Sequence, residues 1–111
     1  MRAARHAVLV ALCIVGVRVA IPAGSQAPQG AVALGRERYV QCASCHGSDG
    51  RSAVMPQYPK IGGQNLEYLV SALKAYRDGR RQGTYASIMS AAAKPLSDED
   101  IANLAAYVAS L

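Results

Sequence analysis

The chain has 111 residues, which suits one domain, and a formal charge of +5. Three of its twelve basic residues, Arg2, Arg5 and Arg18, fall in an acid-free amino-terminal stretch, so the remainder holds nine basic residues against seven acidic ones, or +2. With no polybasic tract and no basic face interleaved with aromatics, that balance excludes a nucleic-acid partner.

The amino terminus has the three parts of an export signal. Arg2 and Arg5 form a basic start, Ala7 to Val17 is an apolar run, and small residues follow at Ala20, Ala23, Gly24, Ser25 and Ala27. The run is shorter than the roughly 20 apolar residues a membrane span needs. The expectation is a signal peptide over residues 1–27, cut between 20 and 27, and a mature domain over 28–111 in the periplasm. The alternative is a membrane anchor through an uncleaved amino terminus, with Arg18 reaching the interface. Cys13 lies inside the apolar run and reads as a small hydrophobe. A mature domain of under about 90 residues has a thin core and usually needs a staple. Six Tyr with no Phe and no Trp leave room for a cofactor to fill that role.

Beyond the signal the pattern is helical, with no strand period and no internal repeat. Ala31 to about Gln41 reads as a first helix, with Val32, Gly35, Tyr39 and Val40 towards the core, closed by the turn of Cys42-Ala43-Ser44-Cys45-His46. Residues 47–63 carry Gly47, Gly50, Pro56, Pro59, Gly62 and Gly63, and read as a loop. Asn65 caps a second helix, Leu66 to Asp78, whose Leu66, Leu69, Val70 and Leu73 follow the i, i+3, i+4, i+7 spacing. Gly79 ends it in a left-handed cap, and Arg77, Arg80 and Arg81 sit where the helix dipole favours cations. Residues 83–95 are irregular, with a short helix over 86–92. Ser97 caps the last helix, Asp98, Glu99 and Asp100 occupy its positive end, and Ile101, Leu104, Ala105 and Val108 form its apolar stripe.

C-x-x-C-H at 42–46 is the signature of covalent c-type haem attachment. Two thiols add to the two vinyl groups of haem, and the histidine that follows at once is held under the iron. Cys42 and Cys45 are therefore the candidate thioethers and His46 the proximal ligand. A zinc site on the same three residues lacks a fourth ligand. A dithiol oxidoreductase needs a βαβ context that is absent. Across the iron no second histidine is available, since His6 belongs to the signal. The thioether candidates are Met55 and Met89. Met55 is nine residues past His46 and followed by Pro56 and Pro59, which favours the histidine side, although nine extended residues could reach farther. Met89 follows the second helix, in a stretch able to return on the opposite face. Lys60 and Lys94 are candidate rim cations for acidic partners. Tyr58, Tyr68, Tyr76 and Tyr85 are candidates either to reach haem propionates or simply to pack.

Over residues 30–111 the chain resembles the class I c-type cytochromes. It is similar to the small single-haem periplasmic ones and to either half of the dihaem ones. Four motifs carry the likeness in order: CASCH at 42–46, Pro59-Lys60-Ile61-Gly62-Gly63-Gln64 leading into Tyr68-Leu69, Met89, and Leu96-Ser97-Asp98-Glu99-Asp100-Ile101 ending in Leu104-Ala105-Ala106-Tyr107. Ile61-Gly62 departs from the Leu-Ala frequent in the family. The resemblance implies an all-α cytochrome c fold of three to four helices around one covalently bound haem c. First and last helices cross near-perpendicularly, with Gly35 and Tyr39 against Leu104 and Tyr107. It also implies Met89 as distal iron ligand, and the Pro59 carbonyl as acceptor from the proximal histidine. The function implied is one-electron transport by a monomeric carrier, not an enzyme, docking transiently with an oxidase, reductase or membrane cytochrome complex. The alternative is a haem subunit or electron acceptor of a larger redox enzyme, such as one oxidising a sulfur compound or an alcohol.

Overall fold

The computed structural model describes residues 29–111; the expected export signal, residues 1–27, lies outside the described residues. Among the described residues five helices follow one another: α1 (Gln29–Arg38), α2 (Val40–His46), α3 (Leu66–Arg77), α4 (Ala86–Ala93) and α5 (Asp98–Ser110). No strand occurs among the described residues, and none of the described helices is long and apolar enough to cross a membrane.

The helix ends follow from their sequences. Asn65 accepts the Tyr68 N–H at 3.0 Å to start α3. At the other end the Gly79 N–H donates to the Tyr76 carbonyl and the Arg80 N–H to the Ala75 carbonyl. Gly79 at φ +69° permits this double closure. Ser97 and Asp100 form a reciprocal capping box at the start of α5. The Asp100 N–H donates to the Ser97 hydroxyl (3.1 Å), and the Ser97 N–H donates to the Asp100 carboxylate (3.0 Å).

The expected single helix over 31–41, closed by a turn, is corrected. The helix breaks at Tyr39, and C-x-x-C-H is itself helical. The Tyr39 carbonyl accepts from both the Cys42 and the Ala43 N–H at 2.9 Å, so the helix tightens locally there. Tyr39 is buried edge-on against Tyr107, with ring centroids 5.2 Å apart, and its hydroxyl donates to the Gly47 carbonyl at 2.8 Å. Val40, expected towards the core, is instead 74% exposed.

α1 packs chiefly on α5, and α3 packs on both α4 and α5. The stripe of α5, Ile101, Leu104, Ala105 and Val108, is buried as its spacing requires. At the α1–α5 crossing, a Cβ on Gly35 would run into the Asn103 carbonyl and stand 2.8 Å from the Tyr107 Cβ. Only glycine admits this backbone approach.

Candidate haem site

The helices enclose a cavity of about 440 Å³. α2 contributes Cys42, Cys45 and His46; the following loop contributes Tyr58, Pro59 and Lys60; α3 contributes Tyr68, Leu69 and Tyr76; α4 contributes Met89; and α5 contributes Leu104 and Val108.

His46 is 5% exposed. Its Nδ1 lies 2.9 Å from the Pro59 carbonyl, a partner that can only accept, so Nδ1 carries the proton and donates. In the neutral ring Nε2 then keeps its lone pair, the form in which imidazole binds a metal. The loop that brings Pro59 there is itself tied down. The Val54 N–H donates to the Cys45 carbonyl (3.0 Å), the Ile61 and Gly62 N–H groups to the Gly50 carbonyl (2.7 and 2.9 Å), and the Gly63 N–H to the Val108 carbonyl (2.9 Å). Asp49 closes the first bend, accepting from the Arg51 and Ser52 N–H groups at 2.8 Å. Those donors hold its carboxyl down at about 2.

Cys42 and Cys45 are half-buried free thiols. Burial pushes the Cys42 thiol above its ordinary value, with Cys45 adding to the effect. A thiol held neutral on an apolar wall is a poor thiolate nucleophile and a poor exchange partner. Among the described residues no three His, Cys, Asp or Glu side chains converge in a way that could hold a metal ion. Met89 lines the cavity, whereas Met55 is 36% exposed, does not line it, and accepts from Gln57 Nε2 at 3.6 Å. Lys60 lines the cavity and Lys94 does not; Tyr58, Tyr68, Tyr76 and Tyr85 all line it.

The sequence reading missed one cation of this wall. Arg81 was grouped with the helix-end charges, but it stacks over the Tyr76 ring at 4.5 Å and lines the cavity. The turn at Gly79 reverses the chain and brings the two together, which helical spacing does not reveal. With Lys60, Arg81 makes the cavity charge one-sided: two cations and no carboxylate line it.

A largely apolar cavity with two thiols, one imidazole nitrogen, one thioether and two cations suits a flat apolar macrocycle bearing a central metal and two carboxylates. Comparison with known proteins decides the family. Residues 32–111 match the Cytochrome c family. The chain belongs to the cytochrome c family. It is 48% identical over 81 residues to cytochrome c-554(548) of Halomonas halodenitrificans, spanning 73% of this chain and 96% of that protein. It is also 36% identical over 70 residues to a thiosulfate dehydrogenase electron acceptor of Thiomonas intermedia, spanning 63% of this chain and 31% of that longer one. The fold matches the crystal structure of reduced recombinant cytochrome c4 from Pseudomonas stutzeri with a TM-score of 0.68 and 29% identity, covering 77% of this chain and 50% of that one. As a cytochrome c, the protein binds covalently attached haem c and transfers electrons.

Proposed function

We propose that this cytochrome is a periplasmic single-electron carrier whose haem is bonded to Cys42 and Cys45 and held between His46 and Met89. The observation that carries this reading is the orientation of His46, pinned through Nδ1 to Pro59 with Nε2 free, in a cavity that also presents both thiols and Met89. The haem iron supplies the one-electron chemistry by alternating between ferrous and ferric states. The chain's own residues fix the imidazole ring, exclude water with the apolar wall, and offer a thioether that favours the reduced state relative to a second imidazole. Met89 is preferred to Met55 because Met55 stands outside the cavity.

The relatives named as cytochromes support a carrier rather than an enzyme. Residues 1–27 serve as the export signal, and the carrier meets its redox partners as a monomer. The Thiomonas relative, named for accepting electrons from a dehydrogenase, supports an enzyme as one class of partner.

Protein expressed with haem-attachment machinery will give a pyridine haemochrome spectrum of haem c. Haem that extracts into acidified solvent would sink the thioether assignment. The ferric protein will show the weak near-infrared band of thioether–iron ligation. Met89→Ala will abolish it, and survival of the band would move the assignment to Met55. Mass analysis of the exported, soluble protein will show residues 20–27 as its new start; an intact, membrane-bound chain would favour the anchor.

A further inference from the structure

The α4 helix, which carries Met89, is fastened unevenly. On its amino-terminal side the chain from Asp78 to Tyr85 makes only short-range hydrogen bonds. Among the described residues these include bonds from Asp78 to Lys74, Gly79 to Tyr76, Arg80 to Ala75 and Asp78, Gln82 to Gly79, and Ala86 to Gly83. Gly79 and Gly83 stand in positive φ with nothing within 4 Å of where a Cβ would be, so no close approach of another element requires glycine there. On its carboxy-terminal side the chain reaches Leu96, which is buried and lines the cavity. Ala93 and Leu96 also pack in one apolar cluster with Leu69 of α3, and among the described residues one side chain ties this segment to α3 by a hydrogen bond. Arg77 Nη1 donates to the Leu96 carbonyl at 3.2 Å and to Asp98 Oδ1 at 2.7 Å. Arg77 is 22% exposed, against 64% for Arg80 three residues on. Lys74 also reaches Asp98, at 3.6 Å, but makes no bond to Leu96. Among the described residues, no other side chain hydrogen-bonds the link between α4 and α5 to α3.

We propose that Arg77 is a positioning residue for the distal iron ligand. By holding the Leu96 carbonyl it holds α4 and Met89 in the cavity, and so sets how readily an external ligand takes that position. The inference rests on Met89 being the distal ligand.

The physical link is a two-state one. An external base binds the iron only in the fraction of molecules in which Met89 has moved away, so its apparent affinity scales with that fraction. Losing Arg77 removes a charge-assisted hydrogen bond and leaves the Leu96 carbonyl without that donor. A bond of this class is worth roughly a tenfold change in the open fraction.

The test is a titration of the ferric, haem-loaded full chain with imidazole, followed by absorbance, alongside the near-infrared thioether band. Arg77→Gln should bind imidazole roughly tenfold more tightly while retaining the band without imidazole. Arg77→Lys, which keeps a donor but loses the planar fork, should fall between the variant and the wild type. Two controls break other ion pairs near the same helix end without touching Leu96: Lys74→Gln, which loses Asp98, and Arg38→Gln, which loses its 2.6 Å pair with Asp100. Both should bind imidazole within about twofold of the wild type. Unchanged imidazole affinity in Arg77→Gln and Arg77→Lys would overturn the proposal. Equal tightening in Lys74→Gln or Arg38→Gln would overturn it too, by tracing the effect to general loosening. The underlying reading fails separately: a thioether band that survives Met89→Ala removes Met89 as the ligand whatever Arg77 does.

Discussion

Two irregular, glycine-bearing stretches flank the cavity, residues 47–63 and 78–85, and they are built on different terms. The first is bonded to distant parts of the chain: to α2 through Val54 and Cys45, across itself through Gly50 and Ile61, and to α5 through Gly63 and Val108. The Arg51 guanidinium adds a bond to the Leu111 carbonyl at 2.8 Å. The second is bonded only to residues within five positions of itself. Their glycines differ accordingly. A Cβ on Gly62 would come within 2.6 Å of the Asp49 carbonyl oxygen, and one on Gly50 within 2.8 Å of the Gly62 nitrogen. Gly79 and Gly83 face open space. In the first loop glycine lets backbones touch; in the second it only lets the chain turn. The histidine side is thus tied at many points and the methionine side at few. A carrier whose iron alternates between two charges with little rearrangement benefits from the first. On the proposed ligation, the second would leave Met89 the more exchangeable ligand.

The largest expected effect breaks the frame under the tied side. Gly35→Val forces α1 off the Asn103 backbone, and the holoprotein should lose about 3 kcal/mol in guanidinium unfolding. Next is Tyr39→Phe, which removes one of the two donors to the Gly47 carbonyl, the Gly50 N–H at 3.1 Å remaining, and should cost about 1 kcal/mol. Burial raises the Tyr39 hydroxyl from 10.0 to about 12. A raised acid stabilises the fold fully below its unfolded value, and this contribution disappears as pH rises from about 10 to about 12. Stability measured against pH should therefore fall less steeply over that window in Tyr39→Phe; an unchanged slope would assign the alkaline loss to another tyrosine.

A paired substitution then sharpens the contrast. Asparagine tolerates the left-handed backbone. Gly79→Asn, with φ +69° and no neighbour, should stay within about 0.5 kcal/mol of wild type, whereas Gly62→Asn should lose about 2 kcal/mol by collision. Equal losses would erase the distinction between the loops. The smallest effect is on acid sensitivity. Asp49 is depressed from 3.8 to about 2 by the Arg51 and Ser52 N–H groups, so its contribution is present above about 3.8 and lost as pH falls towards 2. Asp49→Asn should flatten that limb slightly, without abolishing it. Asp98, bonded by Arg77, and Asp100, bonded by the Ser97 N–H, are lowered too and remain.

Much of this was legible in the sequence, for local reasons. The stripes of α3 and α5, the Asn65 and Ser97 caps and the Gly79 stop depend on residues within a turn or two of one another. The fold and the order of the motifs came with the family likeness. The break at Tyr39 was not legible, because what holds that residue is a ring seated on Tyr107 and a hydroxyl bonded to Gly47, both tertiary contacts. Val40 was misplaced for the same reason. Arg77 and Arg81 read as helix-end charges, which they are. Their other contacts depend on where α5 arrives and how the chain reverses at Gly79. The one available signal was charge: an arginine ending one helix and Asp98 opening another.

The contact between Gly35 and Asn103 also bears on how the chain folds. It joins the first described helix to the last across more than sixty residues of intervening sequence, so forming it carries the entropy cost of closing a long loop. If that crossing belongs to the folding nucleus, substitution at Gly35 slows folding rather than hastening unfolding. Stopped-flow refolding of Gly35→Ala would read the difference directly: a lowered folding rate places the helix crossing early, and a raised unfolding rate alone places it late.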